Sequence, residues 1–316
     1  MVDLAALRHS GARSGDGTQP PPRAAAPARR TLKLNRKMDA GQAFRAILAD
    51  CLGAAVVQAG VLRAGRSVAG LHRLRVALRR LEVMLDAFGE AFAQDWFADL
   101  RSRAKAVSAR LAPARDLDVF LEDLWPAATH AGDFTALRRD AEAMRDEAWA
   151  EVETCLASEA FRHLLDDVAA LSRSRLPIGA DENLKRVARG LLKTAAKRVR
   201  KRRRKARRLE ERDLHRLRVA LKKLRYLAQA FAPLYAKRTV KPYIAALKRL
   251  QEELGHVNDS VHARLAIAEL LRQGVAAEIG FSAGLFAGHC AAGRDHHARR
   301  AMQRYGDFAG MTRFWA

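Results

Sequence analysis

The sequence predicts an all-α protein built from two copies of one helical unit, and three observations carry that expectation. Ala, Leu and Arg dominate, only nine Pro and twenty Gly interrupt the chain, and such a composition favours helices over strands. Apolar residues recur at helical spacing in long segments from about Asp39 onward. The stretch LHRLRVALRRL, from Leu71 to Leu81, returns as LHRLRVALKKL from Leu214 to Leu224, 143 residues later. At the same offset Phe88 meets Phe231, Lys105 meets Lys248, Leu111 meets Leu254 and Asp116 meets Asp259. A register kept that long without a gap is the mark of a duplication.

The elements follow in order. Residues 11–30 mix Gly, Ser, Pro and Arg without apolar periodicity, so residues 1–35 are expected to form a flexible basic tail. Helices are expected over roughly 39–64, 68–93, 94–112, 115–131, 133–175 (split), 180–209, 211–234, 237–255, 258–274 and 276–312 (split). The breaks between segments are assigned to Gly60, Gly89, Pro113, Pro177, Pro233 and Gly255. The first helical repeat then covers 36–176 and the second 177–316, a length sufficient for a sizeable core.

A formal net charge of +23 with a pI near 11.0 far exceeds what solubility requires and calls for an anionic partner. Nucleic acid, an anionic membrane surface and polyphosphate each meet that requirement. Cys51, Cys155 and Cys290 are odd in number and far apart, which argues against a disulfide framework and for a reducing compartment, with the thiols buried in helices. The opening MVDLAALRHS has no apolar leader core, and the longest apolar stretch, Ala46 to Leu62, carries Asp50 and Gln58. A cytoplasmic protein without membrane insertion is therefore expected.

On a helical wheel Leu71, Leu74, Leu78, Leu81, Leu85 and Phe88 share one arc, the core stripe. His72, Arg75 and Arg79 line one flank of it, while Arg73 and Arg80 point to the opposite side, toward solvent. In the second copy His215, Arg218 and Lys222 form the flank, Arg225 extends it, and Arg216 and Lys223 face away. Such a row is about 15 Å long and suits an extended ligand better than a point-like one. Arginine offers phosphate a planar fork and lysine a point charge, at roughly 1.5–3 kcal/mol per well-formed contact.

Between Lys185 and Arg208 there are fourteen Lys and Arg and no Asp or Glu. Arg186, Arg189, Lys193, Lys197, Arg200, Arg204 and Arg207 are spaced to stack on one helix face, where neighbours repel at about 0.2–0.5 kcal/mol per pair. A polyanion relieves that repulsion. The stretch from Lys197 to Arg208 also fits a nucleic-acid-binding arm or a frayed basic helix.

The two motif helices, each followed by a short acidic turn (RDLDV at Arg115 to Val119, NDSV at Asn258 to Val261), closely resemble the CHAD domain, the conserved-histidine α-helical domain, from about Asp39 to the carboxy terminus. That resemblance implies two pseudo-symmetric helical bundles around a basic central groove or pore that binds inorganic polyphosphate, with association with polyphosphate granules as the physiological setting. Carried onto this chain, the ligand row comprises His72, Arg75, Arg79, His215, Arg218, Lys222 and Arg225. Lys105 and Lys248, matched in the repeat, join the expected binding set with the basic face from Arg186 to Arg204. Glu82 departs from the pattern, since it stands where the second copy has Arg225 and where the family usually keeps a basic residue. Equal contribution from the two halves therefore does not follow.

Two other functions fit parts of the sequence. A metal phosphohydrolase site would draw on His72, Asp116, Asp118, His215, His256, Asp259 and His262, which are suitable ligand types. However, the motif cations repel a divalent metal and no paired-histidine spacing occurs, so no enzyme activity, metal or cofactor is expected. Asp116 and Asp259 are instead expected to cap helices or orient a motif arginine. Sequence-independent nucleic-acid binding is the stronger rival, because phosphate neutralisation alone supports it. His163, His289, His296 and His297 are expected to be surface or packing residues, and Trp96, Trp125, Trp149 and Trp315 to be core. The sequence does not set an oligomeric state.

Overall fold

In the computed structural model, which describes residues 32–124, 135–174, 182–272 and 277–316, ten α-helices follow one another and no strand forms among the described residues. All of them belong to one unit, Thr31–Ala316. Asp39 opens α1 (Ala40–Ala64) with a capping box: its carboxylate accepts from the Gln42 backbone N–H at 2.7 Å while the Gln42 side chain accepts from the Asp39 N–H at 3.2 Å. The Ser67 hydroxyl caps α2 (Val68–Phe92) by accepting from the Gly70 N–H at 3.1 Å. Then come α3 (Asp95–Arg110) and α4 (Ala112–Val119), whose Pro113 lies in the first turn, where no N–H is needed. A π-helical turn, Phe120–Leu124, continues α4.

Ser158 separates α5 (Thr135–Ala157) from α6 (Glu159–Arg173) and caps the latter. Asn183 caps α7 (Leu184–Lys205), which runs through a 3-10 turn toward α8 (Glu211–Phe231). Two long helices close the chain, α9 (Lys237–Arg272) and α10 (Ala277–Ala309), packed along one another.

The expected breaks at glycine are not observed. Gly60 lies inside α1, Gly89 inside α2 and Gly255 inside α9, so 237–255 and 258–274 form one helix, and the last segment is not split. A helical glycine costs only about 1 kcal/mol relative to Ala, which packing along a long helix outweighs. Gly89 has a positive reason to be there: a Cβ at this position would meet Phe97 Cβ at 2.9 Å, so glycine lets α3 lie close against α2. In the first copy Pro113 stands at the α3/α4 junction; the matching residue is His256, and α9 runs through it.

The core stripe is as the wheel describes. Leu71, Leu74, Leu78, Leu81, Leu85 and Phe88 are buried, as are Leu214, Leu217, Leu221, Leu224 and Phe231. Each such side chain contributes roughly 1.5–3 kcal/mol. Helices α2 and α8 pack against each other, and the Phe88 and Phe231 rings lie 6.4 Å apart. Asp39 and Asn183, the caps of α1 and α7, form a single antiparallel bridge.

Leu34 is buried, Leu32 packs on the core and the Arg36 guanidinium donates to the Leu234 carbonyl at 3.3 Å. The packed body thus begins ahead of residue 36. Residues 1–31 of the expected tail, Trp125 and Pro177 lie outside the described residues. Trp149 and Trp315 are buried, Trp96 is partly buried against the core, and all three cysteines are buried free thiols. By length and composition α1 could cross a membrane; here its Phe44, Ile47, Leu48 and Cys51 are part of the core.

Candidate functional site

With their leucines committed to the core, α2 and α8 place the flanking rows at the edge of their contact. From α2 come His72, Arg75 and Arg79; from α8 come His215, Arg218, Lys222 and Arg225. The two histidines and Arg79 are exposed, whereas Arg75, Arg218, Lys222 and Arg225 are half-buried.

The rows differ in their partners. On α2, Arg75 donates to the Ser108 carbonyl at 2.9 Å, and Arg79 donates to the Glu82 carboxylate at 3.2 Å. The buried Glu82 also accepts from the Ser108 hydroxyl at 2.6 Å. On α8, His215 Nδ1 lies 3.3 Å from Asn258 Oδ1. The Nε atoms of Arg218 and Arg225 and the Gln251 amide nitrogen are buried without a hydrogen-bond partner among the described residues.

Electrostatics joins the two rows into one cluster. Burial, then the charges of Arg218, Arg79 and Arg225, lower the Lys222 pKa to about 7, against a weaker opposing pull from Asp259. Arg218 is lowered by burial, opposed by Asp259 and Asp116, with Arg79 adding to the decrease. His72 is lowered by burial and by Arg115, Arg75 and Lys222. His215 is lowered by burial and by Arg218, its contact with Asn258 opposing. Charges thus act between α2, α4, α8 and α9. A cleft of about 520 Å3 opens beside the α8 row, lined in part by His215, Arg216, Arg218, Asn258 and His262. Half-dehydrated cations converging in this way favour a multivalent anion.

Neither expected acidic turn is a turn. Asp116 lies inside α4 and Asp259 inside α9, so neither caps a helix. Both oppose the lowering of a motif arginine: Asp116 acts on Arg75 and Asp259 on Arg218. Burial raises the Asp259 pKa, with Arg218 pulling it back. Asp116 also meets His262 Nδ1 at 3.3 Å, tying α4 to α9. Asp118 is a fully buried anchor, accepting from Arg145 at 2.8 Å and from Trp149 Nε1 at 3.1 Å.

The outward face assigned by the wheel is also corrected. Arg80, only 13% exposed, pairs with Asp50 of α1 at 2.6 Å, and Lys223 pairs with Asp86 of α2 at 2.5 Å. Arg216 pairs with Asp213 at 3.5 Å. Arg73 alone is exposed, and it donates to Gln58 at 2.8 Å. A single-helix wheel does not register that neighbouring helices cover this side as well.

Other candidates stand apart from the cluster. Lys105 is exposed on α3, and Lys248 pairs with Glu252 at 3.6 Å on an exposed face of α9. Arg186, Arg189, Lys193, Lys197, Arg200 and Arg204 are exposed along α7, with Arg207 just beyond, and none forms an ion pair among the described residues. None of them is among the charges that shift the motif residues. Ser108 and Gln251, 143 residues apart, were not singled out in the sequence, and Arg115 and Asn258, also 143 apart, entered only as the first residues of the acidic motifs. His163 and His289 are exposed, while His297 stacks on His256 at 4.4 Å and contacts Glu253 at 2.8 Å. Among the described residues no three His, Cys, Asp or Glu side chains converge as metal ligands do.

A family model, the CHAD domain, matches residues 46–268. Among solved structures, the CHAD domain from the plant Ricinus communis superposes with a TM-score of 0.77 at 24% identity, covering 90% of this chain and 96% of that one. PptA from Streptomyces chartreusis superposes with a TM-score of 0.70 at 20% identity, covering 85% of this chain and all of that one. Comparison with curated proteins finds no match.

Proposed function

The chain belongs to the CHAD domain family, and from that premise we propose that it binds long-chain inorganic polyphosphate along the paired rows of α2 and α8, without chemical turnover. One observation carries the reading: Arg79 of one row and Arg218 and Arg225 of the other all act on Lys222, and the three α8 cations are half-buried. Cations held together at that cost are preorganised for a ligand with many charges. Polyphosphate supplies them in one flexible strand, so contacts add through effective concentration. Association with polyphosphate granules in the cytoplasm is the setting in which such a binder acts.

The test is titration of metal-stripped protein with long-chain polyphosphate, orthophosphate and ATP. Much tighter binding of the long chain is expected, with log affinity falling steeply against log salt and no chain shortening with or without magnesium. Equal affinity for orthophosphate sinks the proposal. A second reading, sequence-independent nucleic-acid binding, rests on the exposed α7 face, where six cations from Arg186 to Arg204 stand without ion pairs among the described residues. Competition between polyphosphate and double-stranded DNA at matched phosphate concentration separates the two.

A further inference from the structure

At the offset of the repeat, residues of α2 have counterparts on α8: Arg75 matches Arg218, Arg79 matches Lys222 and Glu82 matches Arg225, while Ser108 of α3 matches Gln251 of α9. The two sets are wired in opposite ways. In the first, Glu82 is 8% exposed and both its oxygens are engaged, one by the Ser108 hydroxyl at 2.6 Å and the other by Arg79 at 3.2 Å. The Ser108 carbonyl in turn takes Arg75 at 2.9 Å. In the second, the carboxylate is replaced by a guanidinium, and the Nε atoms of Arg218 and Arg225 and the Gln251 amide nitrogen find no partner among the described residues.

A carboxylate engaging an arginine and a hydroxyl makes the contacts that a phosphate oxygen makes with the same donors. We infer that Glu82 is a built-in counter-anion of the first motif row, engaging Arg79 in the free protein and leaving the second row as the stronger half of the polyanion site. This rests on the polyphosphate reading and adds to it the residue that makes the two halves unequal. A chain entering the first half must displace Glu82 from Arg79 and then lie beside its buried charge. In the second half Arg225 meets it with a cation. Like charge placed against a ligand opposes binding more strongly where water is excluded.

The variant is Glu82→Gln, which keeps the shape and the Ser108 contact while removing the charge. Glu159→Gln is the control, since Glu159 pairs with Arg162 at 3.1 Å in the same three-residue spacing but on α6. Titration with long-chain inorganic polyphosphate should show a gain of about five- to tenfold for Glu82→Gln and less than about twofold for the control. Arg79→Ala should cost about threefold in the wild-type background and about tenfold in the Glu82→Gln background, because only there is Arg79 free of its counter-anion. Glu82→Ala serves should the amide fail to fold by circular dichroism, with the same direction expected. Equal effects of the Glu82 and Glu159 variants, or the same Arg79→Ala cost in both backgrounds, overturn the inference and leave polyphosphate binding standing. Wild-type protein that ignores the chain overturns the binding reading and this inference with it.

Discussion

Lys222 carries the sharpest consequence at the scale of single residues. Burial and the neighbouring Arg218, Arg79 and Arg225 hold its pKa at about 7, where an unfolded lysine titrates near about 10.4. The unfolded chain therefore binds the proton over that window, so Lys222 penalises the fold at and below pH 7 and the penalty is relieved as pH rises above it. Ligand binding has the opposite sign, because a polyanion favours the ammonium form. Polyphosphate affinity should thus fall from about pH 6.5 to pH 9, with proton uptake on binding near neutrality. Calorimetry in buffers of differing ionisation enthalpy measures that uptake, and Lys222→Arg should remove most of it. An affinity flat across the range contradicts the assignment. His72 and His215, both lowered from 6.5, add a further tightening only on the acid side of that value.

The row itself was legible from the sequence because the core stripe of leucines dictates which side chains lie at its edge. The pKa of Lys222 was not, since it depends first on burial between packed helices and then on charges that include Arg79, far away along the chain. The roles of Arg80 and Lys223 were illegible for the same reason. Their acids, Asp50 and Asp86, belong to α1 and α2, and a wheel drawn for one helix contains neither.

Between elements, Asp86 ties α2 to α8 through Lys223 at 2.5 Å and to α3 through Arg101. Burial alone raises its pKa, but the hydrogen bonds and charges of Lys223 and Arg101 outweigh that and leave it lowered. Asp86→Asn should cost on the order of 2–3 kcal/mol, read as a shift in the urea midpoint at neutral pH. Its contribution is present above the ordinary aspartate range and is lost as pH falls through the lowered pKa, so the difference between variant and wild type should narrow in acid. A variant as stable as wild type at neutral pH would show the bridge to be inert. Gly89→Ala should also destabilise despite the better helix propensity of alanine, because the new Cβ meets Phe97; a higher melting temperature would refute that packing argument.

Helix existence was readable almost throughout from the apolar period, whereas the caps Asp39, Ser67, Ser158 and Asn183 show only in the structure. Helix ends at glycine were not. Gly255 carries no steric instruction to stop, so tertiary packing of α9 against α10 decided the matter, whereas Pro113 does carry such an instruction and marks the α3/α4 junction.

Over the whole molecule, a net charge of +23 raises the question of whether binding follows total charge or a particular arrangement. Positions on α7 and α8 separate the two. Arg218→Ala with Lys222→Ala removes two charges from the clustered row, and Lys193→Ala with Lys197→Ala removes two from the exposed α7 face. Total charge is lowered equally. Isothermal titration of long-chain polyphosphate into each double variant, at physiological salt and with folding verified, tests the central claim directly. The clustered row predicts a loss of about 3–6 kcal/mol for the α8 pair and under about 1 kcal/mol for the α7 pair. Equal losses for the two pairs would show that the polyanion is held by the general positive field and not by the paired motif helices.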